Sequence, residues 1–511
     1  MDPKTIVAPM TPAGVSAVAA LRVSGSKVRD VVRALFGEKA CAKLKAREAC
    51  LGTARDFRAC VSGACADFSS APVIDSLLYI FFEGPNSYTG EDVLELYPHG
   101  NPLIVRELMQ VIRSVDGVRL AEPGEYTRRA FLNGKMDLVQ AESVADVIHS
   151  ANLAELKNAH RLLSGALSKK VVSLTEQIKD ISARIELDVD FAEEEADPDY
   201  AKWGEKISTI RETVESILKS FKGASSVRRL PLAVLYGAPN AGKSSLANAL
   251  LGEDRILVSN IPGTTRDFVE VRLFLAGGEI RLVDTAGIAD KATDTLDALS
   301  MEKSREILAD ADLKILVMDG SLVTGISAED ITPYASRLVP NSNDENVVEN
   351  SDVLKTPVQS LVECDVGVNP DIVIYSKSDL VPEITHQNTE DCIDESCFAD
   401  SLTSAPQTSN IFVSAKTGEG LDALAQMMNE RLFANRDESE DFWITSEREK
   451  ACLEEALAGI DRALDLIRTN PAVELLAFEM QLVRRSLQSI VGEISSEDIL
   501  QSIFAGFCIG K

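Results

Sequence analysis

Lys243 and Ser244 close a stretch, Gly237–Ser245 (GAPNAGKSS), in which glycines and small residues precede one cation and two hydroxyls. Residue types in that order can hold a polyphosphate. The backbone N–H groups of the loop converge on phosphate oxygens, the lysine reaches the β- and γ-phosphates, and the Ser244 hydroxyl ligates Mg²⁺. Gly237 and Gly242 permit backbone shapes that a Cβ would strain. The loop needs a strand behind it and a helix N-terminus ahead of it. Both are present in the sequence: the apolar run Leu232–Tyr236 reads as a buried strand, and Leu246–Leu251 as the first turns of a helix. The full pattern between strand and helix outweighs a chance glycine-rich turn.

Motifs further along narrow the nucleotide. Pro262-Gly263-Thr264-Thr265 stands where a threonine hydroxyl completes Mg²⁺ coordination, and Thr265 is the candidate. Asp284-Thr285-Ala286-Gly287 follows the strand-like run Ile280–Val283, which places Asp284 near the metal and Gly287 near the γ-phosphate. The run Ile372–Tyr375 leads into Ser376-Lys377-Ser378-Asp379, and Ile411–Val413 leads into Ser414-Ala415-Lys416. Asp379 can accept from guanine N1–H and the 2-amino group, and a base lacking them leaves a buried carboxylate unpaired. The order and spacing resemble the translation-factor-like class of P-loop GTPases, with GTP as substrate. The implied nucleotide contacts are Asn240, Ala241, Gly242, Lys243, Ser244, Ser245, Ser259, Asn260, Ile261, Pro262, Gly263, Thr264, Thr265, Asp284, Thr285, Ala286, Gly287, Ser376, Lys377, Ser378, Asp379, Ser414, Ala415 and Lys416. Ser376 stands where that class usually has Asn, which predicts weaker guanine binding. Ile288 follows Gly287, so the glutamine that orients water in Ras-like proteins is missing. Asn240 lies where its side-chain oxygen can hold a monovalent cation beside the β- and γ-phosphates, with Ser259 to Thr264 wrapping it. Such a cation can do what an arginine finger does; the plainer alternative is a turn residue.

The chain around this loop has 511 residues and a formal net charge of −28. That length supports about three domains with real cores. The charge argues against coating nucleic acid through a bulk field, but allows a local basic patch. The opening MDPKTIVAPM has no basic n-region before an apolar core, and no run is long enough to span a membrane, so a cytoplasmic chain is expected. The nine cysteines include no CxxC pair, which predicts reduced thiols and no zinc site.

Residues 1–120 mix β-like runs (17–23 and 74–82) with Gly/Pro turns and a helix over 103–115, giving an α+β domain. From residue 121 to 228 the texture is helical. Val171, Leu174, Ile178, Ile181, Ile185 and Val189 make one stripe, the acidic cluster 188–199 follows, and a helix covers 201–222 before a Gly/Ser linker. The nucleotide domain spans 229–438, with polar insertions at 320–370 and 381–409. Residues 439–511 return to helix, interrupted only at Pro471. The organisation is multidomain, α/β and α. A mixed, mostly parallel P-loop sheet is inserted into a discontinuous helical domain.

The flanks carry a longer resemblance. Thr5–Gly14 (TIVAPMTPAG), Leu21–Gly25, Gly84–Leu96 (GPNSYTGEDVLEL), His99-Gly100, Ala121–Glu142 and the closing Phe507-Cys508-Ile509-Gly510-Lys511 are similar to the tRNA-modifying GTPase family MnmE, also called TrmE. The resemblance spans nearly the whole chain. It implies an N-terminal tetrahydrofolate-binding and dimerisation domain, a discontinuous helical domain and an inserted G domain. It also implies a homodimer and an FAD-dependent partner flavoprotein, MnmG (GidA), in a heterotetramer or larger complex. The implied substrate is tRNA, modified at C5 of the wobble uridine with a (carboxymethyl)aminomethyl group. The one-carbon unit comes from a 5-formyl or 5,10-methylene tetrahydrofolate. GTP hydrolysis is implied to need K⁺ and Mg²⁺.

Carried over, Arg22, Glu95, Lys135 and Lys511 match folate contacts, where a carboxylate suits pteridine N–H groups and cations suit the glutamate tail. Asn240, Ser259, Ile261 (through its carbonyl) and Thr264 match K⁺ ligands; Ser244 and Thr265 match Mg²⁺ ligands. The family's catalytic acid aligns with Asp297, one methylene shorter than the usual Glu, in a stretch one residue longer. Cys508 is either a reactive thiol near the folate or a small buried hydrophobe. Two other readings stay open: a ribosome-assembly GTPase acting as an RNA-binding switch, and a folate-dependent transferase for which GTP is structural.

Overall fold

The computed structural model of the chain describes residues 4–61, 67–190, 200–222, 230–238, 240–252, 269–284, 306–322, 370–380, 409–433, 442–469, 473–494 and 496–510. They fall into two compact units: Met1–Ser150 with Glu155–Val227 and Glu440–Lys511, and Ala151–Ala154 with Arg228–Ser439.

The first unit begins with β1 (Thr5–Pro9), β2 (Ser16–Val18), β3 (Leu21–Ser24), β4 (Ala49–Arg55), β5 (Val73–Phe82), β6 (Val93–Tyr97), β7 (His99–Gly100) and β8 (Val118–Leu120). Six of these form a sheet in the order β4-β5-β6-β3-β1-β8. Only the β1–β8 pairing in it is parallel. The strands alternate as a half-buried sheet must. Leu77, Tyr79 and Phe81 face a core closed by the helices Val28–Phe36 and Pro102–Arg113, while Ser76 and Leu78 face outward. The expected single run 17–23 is two strands: β2 pairs with β7, and β3 with β1 and β6. Between them Ala19 donates its N–H to Pro98 O, outside either ladder. Cys60 is disulfide-bonded, contrary to the expectation of reduced thiols. Cys41, Cys50, Cys452 and Cys508 are free.

The helical part of this unit draws on both ends of the sequence. Helices Ala166–Asp190 and Tyr200–Lys219 bury Ile178, Ile185, Ile207 and Val214 with Leu453 and Ile460 of Glu447–Thr469 and Met480 and Leu487 of Val473–Val491. The anticipated stripe is therefore a core stripe from Val171 to Ile185; the Val189 side chain lies outside what the structure describes. The C-terminal helices break once more than expected, at Gly492. Its φ of 83° and a prospective Cβ 2.8 Å from Leu138 Cβ leave room only for glycine there. Helix Glu125–Leu132 is tied to the sheet by buried charge. Arg129 bonds Glu125, Glu91 and Lys4 O, and Tyr126 Oη donates to Arg22 O at 2.6 Å. Burial raises the Glu125 carboxyl, but Arg119, the Glu122 N–H and Arg129 outweigh it and hold it below its usual range.

The second unit is a six-stranded sheet of β9 (Leu232–Tyr236), β10 (Val269–Leu275), β11 (Gly278–Asp284), β12 (Leu313–Asp319), β13 (Ile372–Ser376) and β14 (Ser409–Val413). The order is β10-β11-β9-β12-β13-β14, parallel except for β10 against β11. This is the mixed, mostly parallel nucleotide fold. All five residues of β9 are buried, as a central parallel strand requires. Gly320–Leu322 forms a short 3-10 turn and Ser409 opens β14; residues 323–369 and 381–408 of the two expected insertions lie outside the described residues. No helix among the described residues is long and apolar enough to cross a membrane.

Candidate functional site

The nucleotide residues gather at the C-terminal end of the parallel strands, where such sheets bind ligands. β9 delivers the phosphate loop and helix Lys243–Leu250 carries it away. Gly237 has φ 144° and a prospective Cβ only 2.2 Å from Val317 O, so the loop can cross β12 only as glycine. Lys243 is 4% exposed. Its Nζ donates to Gly237 O at 2.9 Å and Ala238 O at 2.7 Å, bonds that a phosphate would have to replace. Ser244 Oγ donates to Asp284 Oδ2 at 2.6 Å. A hydroxyl and a carboxylate in contact are hard oxygen donors of the kind Mg²⁺ selects. Asn240 is exposed in the left-handed region at φ 61°, which asparagine tolerates better than most residues.

The base-side residues also converge. Asp379 Oδ1 accepts from Ser414 Oγ at 2.7 Å, and Lys416 Nζ lies 4.0 Å from Oδ2. Lys377, itself at φ 59°, donates to Asp319 Oδ2 at 2.5 Å. Burial raises the Asp319 carboxyl, yet Lys377 and Ser321 hold it below its ordinary value. Asp319 was missed in the sequence; its position at the end of β12 was the available signal. Ser376 is buried, with its hydroxyl 2.5 Å from Ala241 O and 3.0 Å from Met318 O. It braces the phosphate loop against β12. Ser378 Oγ is buried with no hydrogen-bond partner among the described residues. Ser245 is exposed beside Ser244, and Gly242 lies with its prospective Cβ 3.3 Å from Ser376 Oγ.

Ser259, Asn260, Ile261, Pro262, Gly263, Thr264, Thr265, Thr285, Ala286, Gly287 and Asp297 lie outside the described residues, as does Lys511.

In the first unit, Arg22 on β3 and Glu95 on β6 are cross-strand neighbours. Arg22 Nε and Nη2 both donate to Glu95 Oε1, at 3.1 and 2.8 Å. The Arg22 guanidinium lies 4.8 Å from the Tyr88 ring centre and 5.8 Å from that of Tyr126. Its Nη1 is buried without a hydrogen-bond partner among the described residues. That orphaned donor beside an accepting carboxylate fits a ligand with both acceptor and donor edges. Lys135 is exposed, with its stem against Gly90. Gly510 is buried, its prospective Cβ 2.4 Å from Pro9 O, so the C-terminal segment docks at the end of β1. Ala8, next to Pro9, is the register partner of Arg22. Cys508 is exposed, which the buried-hydrophobe reading did not anticipate.

Comparison with known proteins covers both units. The family model described as GTP-binding protein TrmE N-terminus matches residues 5–135, and that of the MnmE helical domain matches 138–508. The chain is 33% identical to the tRNA modification GTPase MnmE of Shewanella loihica over 514 residues, covering 100% of both chains. It is also 33% identical to that of Shewanella oneidensis over 515 residues, again at 100% of both. With that of Syntrophus aciditrophicus it shares 33% over 509 residues, 99% of each.

Proposed function

The chain belongs to the MnmE family of tRNA modification GTPases, and on that premise we propose that it is a potassium-dependent GTPase of tRNA wobble-uridine modification. It hydrolyses GTP, with Lys243 and the phosphate-loop N–H groups holding the phosphates and Ser244 and Thr265 holding Mg²⁺. Ser376 braces the loop, Asp379 reads the base edge, and Ser414 and Lys416 hold Asp379 in place. Ser245, Ala241, Gly242, Lys377, Ser378, Ala415 and the segments 259–265 and 284–287 complete the nucleotide contacts. Asn240, Ser259, Ile261 (through its carbonyl) and Thr264 would hold a K⁺ ion, which would supply positive charge to the hydrolysis in place of an arginine finger. Asp297 orients water.

Working with the FAD-dependent MnmG flavoprotein, the chain installs the (carboxymethyl)aminomethyl group at C5 of uridine 34. A tetrahydrofolate derivative, when bound, supplies the one-carbon unit. Arg22, Glu95, Lys135 and Lys511 bind it, and Cys508 lies on the docked C-terminal segment beside it. The orphaned Arg22 Nη1 supports this assignment. The chain acts as a cytoplasmic homodimer. Leu51 and Leu78, 79% and 39% exposed and paired across β4 and β5 on the outer sheet face, support a contact between two copies there.

The observation that carries the reading is the match to both flanking domains together with the contact of Ser244 with Asp284 beside Lys243. The ribosome-assembly alternative has no such counterpart in the flanks. Turnover of GTP by the purified chain in Mg²⁺, with K⁺ or Na⁺ as the monovalent ion, tests it. Turnover stimulated by K⁺ and abolished in Lys243→Ala is expected; equal turnover in Na⁺ would remove the potassium assignment.

A further inference from the structure

Tyr97 figures in none of the expectations drawn from the sequence, yet it sets the geometry around Glu95. The two residues are two apart on β6 and so share the outer face of the sheet. Both Arg22 bonds fall on a single oxygen of Glu95, Oε1. Bonds to one oxygen leave the carboxyl plane free to turn about that point. Tyr97 Oη donates to the other oxygen, Oε2, at 2.5 Å and removes that freedom. Burial first, then the neighbouring Glu95 charge, pushes the Tyr97 hydroxyl up to about 12, so it remains a donor at neutral pH. A carboxylate has about four lone-pair sites, so Oε2 retains acceptor capacity after accepting the hydrogen bond from Tyr97. The result is a carboxylate fixed in plane, with an open acceptor position, beside the unpartnered buried Nη1 of Arg22.

We propose that Tyr97 is a positioning residue of the folate site: it fixes the Glu95 carboxylate so that Oε2 meets the ring N–H groups of the pteridine. This rests on reading Arg22 and Glu95 as folate contacts. Tyr97 acts through Glu95, so its contribution exists only while the carboxylate is there to be held. That dependence separates it from a residue that merely packs the sheet, whose removal would weaken binding in any background.

The test is calorimetric titration of the full chain with 5-formyltetrahydrofolate, using wild type, Tyr97→Phe, Glu95→Gln and the double variant, with thermal unfolding as the control for folding. Tyr97→Phe should unfold like wild type and bind about tenfold more weakly, the scale of one hydrogen bond to a charged group. In the Glu95→Gln background the same change should cost less than about twofold. Wild-type affinity in Tyr97→Phe, or losses that multiply in the double variant, would overturn the proposal. Wild-type affinity in Glu95→Gln would overturn the underlying reading of Arg22 and Glu95 itself, an outcome distinct from a failure confined to Tyr97.

Discussion

A hydroxyl with one proton sits between two carbonyls under the phosphate loop. Ser376 can donate to Ala241 O or to Met318 O, and either bond joins the loop to β12. Replacing it with alanine removes that one donor from a buried site, a loss on the order of 1–2 kcal/mol. We expect Ser376→Ala to bind GTP about 5- to 30-fold more weakly in nucleotide titrations, with the same preference for GTP over ATP. Asp379→Ala should behave differently: the guanine edge loses its acceptor, so the ratio of GTP to ATP affinity falls. A variant that keeps full discrimination would remove Asp379 from the base edge. From the sequence, Ser376 was legible as a departure from the usual asparagine, but its consequence was not. Its partners are on β12 and in the loop, and only the sheet order brings them together. Lys243 and Ser244 stand out in the sequence because a phosphate loop is local and its chemistry dictates the residue types, whereas Asp284, 40 residues on from Ser244, is brought to it by the pairing of β11 with β9.

Elements are held by a few buried charges whose titration has opposite signs. Arg448 forks onto Glu142 at 2.9 and 3.0 Å, joining helix Leu138–His149 to Glu447–Thr469. Next to it, burial and the Glu142 charge push the Glu449 carboxyl well above its usual value. A carboxyl raised on folding contributes stability that is present below its unfolded value and lost as pH rises through the folded one. Tryptophan fluorescence reports this region, because both tryptophans, Trp203 and Trp443, lie in its helical part. The expected result is that wild type loses stability as pH rises above about 4.5 while Glu449→Gln loses less. Parallel pH profiles would contradict it. Glu125 has the opposite sign, lowered on balance, so its contribution disappears as pH falls. Helix positions were legible here through the apolar stripe. The break at Gly492 was not, since it answers to Leu138, far off in sequence.

At the scale of the first unit, Gly510 and the exposed pair Leu51 and Leu78 bear on the same sheet. Gly510, at φ 100°, packs against Pro9 O beside the strand pair that carries Arg22. Gly510→Ala should weaken folate binding while leaving GTP turnover intact; unchanged folate affinity would detach the tail from that site. Leu51→Glu with Leu78→Glu should convert a dimer to monomers in sedimentation, and a persisting dimer would place the interface elsewhere. The family was readable from long motifs in the flanks, because they match it over nearly the full chain. The Tyr97–Glu95–Arg22 arrangement was not, because register across β3 and β6 creates it.

That the nucleotide site and both flanks serve one reaction on tRNA is the core of the proposed function. It is tested by mass spectrometry of tRNA nucleosides from a strain lacking the protein, complemented with wild type or Lys243→Ala. The C5-modified wobble uridine should disappear in the deletion, return with wild type and stay absent with Lys243→Ala. Full wobble modification in the deletion strain would contradict it.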